Sequence, residues 1–158
     1  MFRELTRIKQ KLQIDECYII LEKEKRGVLA LNGENDYPFA FTMNHYFDKI
    51  NNKIYFHCGK IGYKFDCLDK NNKACFTLTK DEDKNDNEWW ITVKSVIVYG
   101  KIEIIDDIEK VVEISDKLSR KFTSDDDYIQ KEIDNYAQNT RLLELSIDNI
   151  CGKIVKEK

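Results

Sequence analysis

The chain has 158 residues, of which 42% are hydrophobic and 35% charged, and 26 basic against 29 acidic residues leave a net charge of −3. That composition suits one soluble globular domain with room for a core and excludes a disordered chain. The slight negative balance argues against a general nucleic-acid or anionic-membrane surface, and no apolar run approaches membrane-spanning length.

The opening "MFRELTRIKQKLQID" lacks the apolar centre of a signal peptide, and residues 1–14 read as a basic, polar arm. Cys17, Cys58, Cys67, Cys75 and Cys151 are odd in number, irregularly spaced and without a C-x-x-C pair, so reduced thiols in a cytoplasmic protein are expected, with no metal site. From Asp15, "DECYIILEKEKRG" predicts a short helix with Gly27 as its stop. "GVLALNGENDYPFAFTMNHYF" then holds two β-like runs around a turn at 32–36, and Pro38 opens the second run, where its missing donor does least harm.

A third run, 53–58, follows an Asn51–Asn52 turn. From Gly62 the pattern turns helical, with Ile61, Phe65 and Leu68 at spacings of four and three. "KACFTLTK" is a strand, "DEDKNDNE" a charged loop, and "WWITVKSVIVYGKIEIID" a bent strand with Gly100 at its bulge. Residues 108–138 carry helical spacing in two segments, to be packed on the sheet, and "RLLELSID" is a last strand with Leu143, Leu145 and Ile147 on one face. Six strand candidates without βαβ alternation predict a single mainly β domain over residues 1–158: an antiparallel barrel or sandwich with helices outside.

The stretch richest in chemistry is "HCGKIGYK", residues 57–64. Gly59 and Gly62 let a backbone approach a ligand, and Lys60 and Lys64 add positive charge where a helix begins, a reasonable cradle for a phosphate. The spacing is neither a Walker loop nor a dinucleotide fingerprint, and a plain strand-to-helix turn with solvated lysines fits it as well. Strand alternation sends Cys58 to the face of Ile54 and Phe56 and His57 to the face of Tyr55, so the two are no nucleophilic pair. His57 reads either as a hydrogen-bonded structural histidine or as a polar group over a ligand. Met43, Asn44 and His45 come late in the neighbouring run, Lys94 and Ser95 interrupt an apolar strand, and the Trp89–Trp90 pair closes either a core or a ring site.

The ordered set "RGVLAL…YPFAFTMNHYF…KIYFHCGKIGYKFDCLDKNNKACFTL…VKSVIVYGKIEII…LLELSIDNICGK" resembles the pyridoxamine 5′-phosphate oxidase-like flavoproteins, nearest their nitroimidazole-resistance branch, from about residue 26 to 153. The resemblance implies a six-stranded antiparallel Greek-key split β-barrel that forms a homodimer with FMN at the subunit interface. It implies that Met43 and Asn44 lie along the isoalloxazine ring and that His57, Cys58 and Gly59 stand beside the flavin. Lys64 would meet the FMN phosphate, and Lys94 and Ser95 would contact the cofactor from the following strand. Electrons would pass to a small planar acceptor such as a nitro-aromatic, with His57 as the polar catalytic group. The alternatives are a non-catalytic FMN- or haem-binding sensor or store, and a bare scaffold. The further arginines and the C-terminal end of true pyridoxamine-phosphate oxidases are missing, so that activity is not expected.

Overall fold

Among the described residues, 2–81 and 92–156 of a computed structural model, seven strands form one antiparallel sheet. In chain order the elements are α1 (Ile14–Lys23), β1 (Arg26–Asn32), β2 (Pro38–Asn44), β3 (Tyr46–Asp48), β4 (Lys53–Gly59), α2 (Tyr63–Lys70), β5 (Lys73–Asp81), β6 (Thr92–Ile105), α3 (Ile108–Ser119), α4 (Asp126–Tyr136) and β7 (Thr140–Lys156). The strand order is β2-β1-β5-β6-β7-β4-β3. β2 and β3 occupy opposite ends of that order, yet only His45 separates them in the chain. The sheet therefore curls until its two edges meet along the run 38–48, which is how the barrel closes. The acidic run after β5 and the Trp89–Trp90 pair lie outside the described residues.

That closure corrects the expected count of six strands to seven. The run "YPFAFTMNHYF" pairs first with β1, in the register Ala30↔Ala40, and then with β4, in the register Tyr46↔Tyr55. One extended segment thus serves two partners, changing between them at His45. The bend expected in β6 is present, with a register shift against β7 at Tyr99/Gly100.

Three further expectations are corrected. Gly27 does not stop α1: the chain turns extended at Glu24 (φ −68°, ψ 145°), and Gly27 lies inside β1 opposite Met43. A Cβ on Gly27 would stand 2.5 Å from the Phe76 ring, so its role is close approach to the core. Ile61 precedes α2 instead of joining its buried face and is 87% exposed. The last strand runs on through "NICGKIVK" to Lys156, because its second half pairs with Thr92–Tyr99 of β6.

Two apolar clusters hold the structure. The barrel interior is filled by residues such as Leu29, Phe56, Phe76, Val96, Leu143 and Leu145, closed by Cys17, Ile20 and Leu21 of α1. The second lies outside the barrel, where Val111 and Ile114 of α3 and Ile129 and Ile133 of α4 cover Tyr55 and Leu142. Adjacent strand residues point to opposite faces, so Leu143 enters the first cluster and Leu142 the second. Each fully buried side chain of this size contributes about 1.5–3 kcal/mol, which makes the α3–α4 pair a fixed part of the wall it forms.

Caps and charges set that pair in place. The Asp107 carboxylate accepts from the Lys110 N–H at the start of α3 (2.8 Å), and Asp125 accepts from the Tyr128 N–H at the start of α4 (3.0 Å). Arg120 joins the two helices, its guanidinium meeting Asp116 and Asp126 at 2.8 Å each. Beneath α3, Lys53 pairs with the buried Glu144, which also bonds Tyr55 and with burial keeps that phenol protonated.

Candidate functional site at the split of the barrel

Continuing the Tyr46↔Tyr55 register would set Asn44 opposite His57 and Met43 opposite Cys58. β2 instead leaves β4 there to pair with β1, and the gap is the split. A cleft of about 430 Å³ opens in it, lined by Arg26, Thr42, Met43, Asn44 and His57. A second cavity of about 350 Å³ lies behind it, walled by α3, α4 and the strand ends and including Asn44 and His57. These two side chains therefore face both spaces.

Their chemistry differs. Arg26 Nε donates to Asn44 Oδ1 at 2.8 Å, which fixes that amide and leaves its NH₂ group toward the cleft. The His57 ring is half-buried and makes no hydrogen bond among the described residues; burial pushes its pKa down, so near neutrality it is uncharged, with one N–H and one lone pair. Cys58 turns the other way and packs against the barrel core. Burial raises its thiol pKa while the nearby Lys64 and Arg141 charges pull it down.

Beyond Cys58 the chain passes Gly59, whose Cα faces open space, to Gly62 at φ +135°, a conformation that L side chains rarely adopt. This turn folds Lys64 back so that its Nζ donates to the Ile61 carbonyl at 3.1 Å and lies 4.7 Å from the centre of the Phe65 ring. Arg141, opposite Cys58 on β7, lies over the same ring at 5.1 Å and pairs with Asp106 at 2.6 Å. The corner beside Cys58 therefore carries two cations.

Of the residues singled out in the sequence, Met43, Asn44 and His57 come together in one cleft, with Cys58 and Gly59 at the end of β4 and Lys64 in the first turn of α2. Lys94 and Ser95 do not line either cavity of the single chain. They stand on β6, where Lys94 pairs with Glu16 of α1 at 2.7 Å and Ser95 is opposite Thr79 and Lys153. Sequence reasoning missed Arg26, Thr42 and Arg141, and the α3–α4 wall with Glu132 and Tyr136. Arg141 had a faint signal, a lone cation at the start of an apolar strand, whereas Arg26 is hidden in the charged run "EKEKR".

The family described as pyridoxamine 5′-phosphate oxidase matches residues 13–154. The chain belongs to that family. No curated protein matches it in sequence. Among solved structures it is similar to a candidate 5-nitroimidazole antibiotic resistance protein of Bacteroides thetaiotaomicron, with 20% identity over 93% of this chain and 87% of that one and a TM-score of 0.75. A FAD-binding protein of Mesorhizobium loti aligns over 92% of this chain and 97% of its own, at 17% identity and TM-score 0.66. A flavocytochrome of Azotobacter vinelandii aligns over 96% and 72%, at 17% identity and TM-score 0.74. The members of this family and these structures share the split barrel seen here. No helix among the described residues is long and apolar enough to cross a membrane, and no cluster of His, Cys, Asp and Glu among them could hold a metal ion.

Proposed function

We propose that this member of the family is a flavoprotein that holds FMN at the split and passes electrons to a small planar acceptor. The observation that carries the reading is His57: a half-buried imidazole with no hydrogen-bond partner among the described residues, shared with Asn44 by two adjoining cavities. The ring is half-buried and neither of its nitrogens is cut off from solvent, so its N–H and its lone pair are both open to a ligand that enters the cleft.

The donor set fits FMN. Asn44, held by Arg26, offers amide N–H groups to a heterocyclic edge, and Lys64 and Arg141 supply charge for a phosphate near Gly59. Bound FMN would supply the redox chemistry. The chain's own part is to fix the ring's edge through Asn44 and to grip the phosphate through Lys64. The helices α3 and α4 limit water, and the neutral His57 presents one N–H and one lone pair to whatever lies beside it. A neutral imidazole can hand on a proton and recover one, and adds no positive charge.

The reading extends to a homodimer. Val28, Ala30, Ile97 and Tyr99 alternate with the core-facing residues of β1 and β6 and are only half-buried in the single chain. A second copy on this face would cover them, and its Lys94 and Ser95 would be the pair to reach the cofactor. The named reaction of the family is not proposed, since the cleft lacks the additional arginines that a second phosphate requires.

The test is stopped-flow mixing of reduced, FMN-loaded protein with nitro-aromatics and with oxygen. Oxidation by a nitro-aromatic well above the rate for free reduced FMN supports turnover, and a rate no faster than free FMN supports a binder or store. Because a partnerless imidazole can also ligate iron, the spectrum of the purified protein is read for a haem band at the same time.

A further inference from the structure

The cavity behind the cleft has its own character. Its walls bring Phe122, Tyr128 and Tyr136 together with Ile133 and Leu118, enough flat apolar surface to sandwich an aromatic ring. Apart from the tyrosines, the ionisable groups that line it are His57 and Glu132, and no lysine or arginine does. The neighbouring cations have contacts of their own, Arg26 among them through Asn44 Oδ1. Lys121 donates to the carbonyls of Glu24 (2.6 Å) and His45 (3.1 Å), Arg120 is held by Asp116 and Asp126, and Lys25 lies over the Phe122 ring at 5.2 Å.

Glu132 is the unusual member. It is half-buried on α4, facing this cavity, and among the described residues no cation or hydrogen-bond donor meets its carboxylate. Most other half-buried or buried carboxylates have partners: Glu144 pairs with Lys53, Glu16 with Lys94 and Asp116 with Arg120, and Asp48 accepts from the N–H groups of Ile50 and Asn51 and from the Asn51 amide. Glu24 shares the lack of one among the described residues but does not line the cavity. A carboxylate partly withdrawn from water, in a cavity whose other non-phenolic ionisable group is a neutral imidazole, makes the space favourable to a donor and hostile to an anion.

We propose that this cavity is the acceptor's site and that Glu132 sets its specificity, selecting a flat aromatic or heteroaromatic molecule with a positively charged or N–H-donating edge and rejecting acids and phosphate esters. Its description as the acceptor's site rests on the flavin reading, because Asn44 and His57 join it to the cleft assigned to FMN. The charge rule rests on the cavity alone.

Calorimetric titration of the purified protein with benzamidine, benzamide and benzoate, matched in size and differing in charge, tests the rule. Benzamidine is expected to bind about tenfold or more tighter than benzoate, with benzamide between them. Glu132→Gln, nearly identical in shape, should bring benzamidine and benzoate to within about threefold, with unchanged circular dichroism. Equal or tighter binding of benzoate, a ratio that survives Glu132→Gln, or no binding of any of the three overturns the proposal. FMN is titrated in parallel by its visible absorbance. A protein that keeps the benzamidine preference without taking FMN refutes the flavin reading and leaves the charge rule standing. FMN binding without the preference does the reverse.

Discussion

The protein's two histidines stand on either side of the same strand junction and meet opposite surroundings. His45 sits where β2 becomes β3; it is fully buried, its Nε2 donates to the Leu21 carbonyl at 2.7 Å, and its ring packs edge-on against Phe76 at 5.0 Å. His57 sits where β4 has run past its pairing with β3, half-buried, without a hydrogen bond among the described residues and open to two cavities. One imidazole fastens α1 to the barrel through Nε2, with its Nδ1 buried and unpartnered; the other presents its ring to open space. A histidine near a strand end is a site only where the sheet parts, and the parting is a property of the closed barrel.

The largest effect that would break this contrast is on stability. His45→Ala removes a buried hydrogen bond and leaves a cavity, and urea unfolding should show a loss of about 3–5 kcal/mol. His57→Ala should stay within about 1 kcal/mol of the parent. Equal losses from the two would mean that His57 is structural after all.

Acidity sharpens the same contrast. Burial, with the Lys121 charge nearby, lowers the His45 pKa from 6.5 to about 4, and its bond to the Leu21 carbonyl offsets only part of this. The unfolded chain binds a proton at higher pH than the folded one. Stability is therefore complete above about pH 6.5 and falls by up to about 3 kcal/mol as the pH drops toward 4. The His57 shift has the same sign. Unfolding followed across this range should show the decline, and His45→Gln should flatten most of it. A decline unaffected by that change would place its origin elsewhere.

A smaller effect concerns the cation corner. Lys64→Ala should weaken FMN binding by about 1.5–3 kcal/mol, the size of one charge-assisted contact, while leaving the unfolding midpoint where it was. Unchanged affinity would remove Lys64 from the phosphate. The smallest is expected of Lys60→Ala: Lys60 is exposed on the same turn and has no partner among the described residues, so affinity should change by less than about threefold.

Much of the barrel was legible because it is local. The turn at 32–36, the Pro38 strand start, the bulge at Gly100 and the periodic helices over 108–138 each depend on a few adjacent residues. The seventh strand was not legible, because nothing in "MNHYF" says that the chain changes partner there; only the meeting of two sheet edges does. Gly27 misled because a glycine after a helix usually ends it, whereas here the Phe76 ring needs the space. In the site, strand alternation separated His57 from Cys58, and Asn44 stood out by its amide late in the neighbouring run. Arg141 reaches Cys58 only through the β4–β7 register, and Glu132 comes to line the same cavity as His57 only once α4 has packed on Tyr55 and Leu142. Those placements are set by contacts between residues far apart in the chain.

The central claim is that the split between β2 and β4 is a flavin site completed by His57 and Asn44. FMN titrated into the purified protein, followed by its visible absorbance and repeated with His57→Ala and Asn44→Ala, tests this directly. The expected result is saturable binding, with a spectrum perturbed in the parent and both affinity and perturbation reduced in each variant. A parent protein that is colourless and leaves the FMN spectrum unaltered would contradict it.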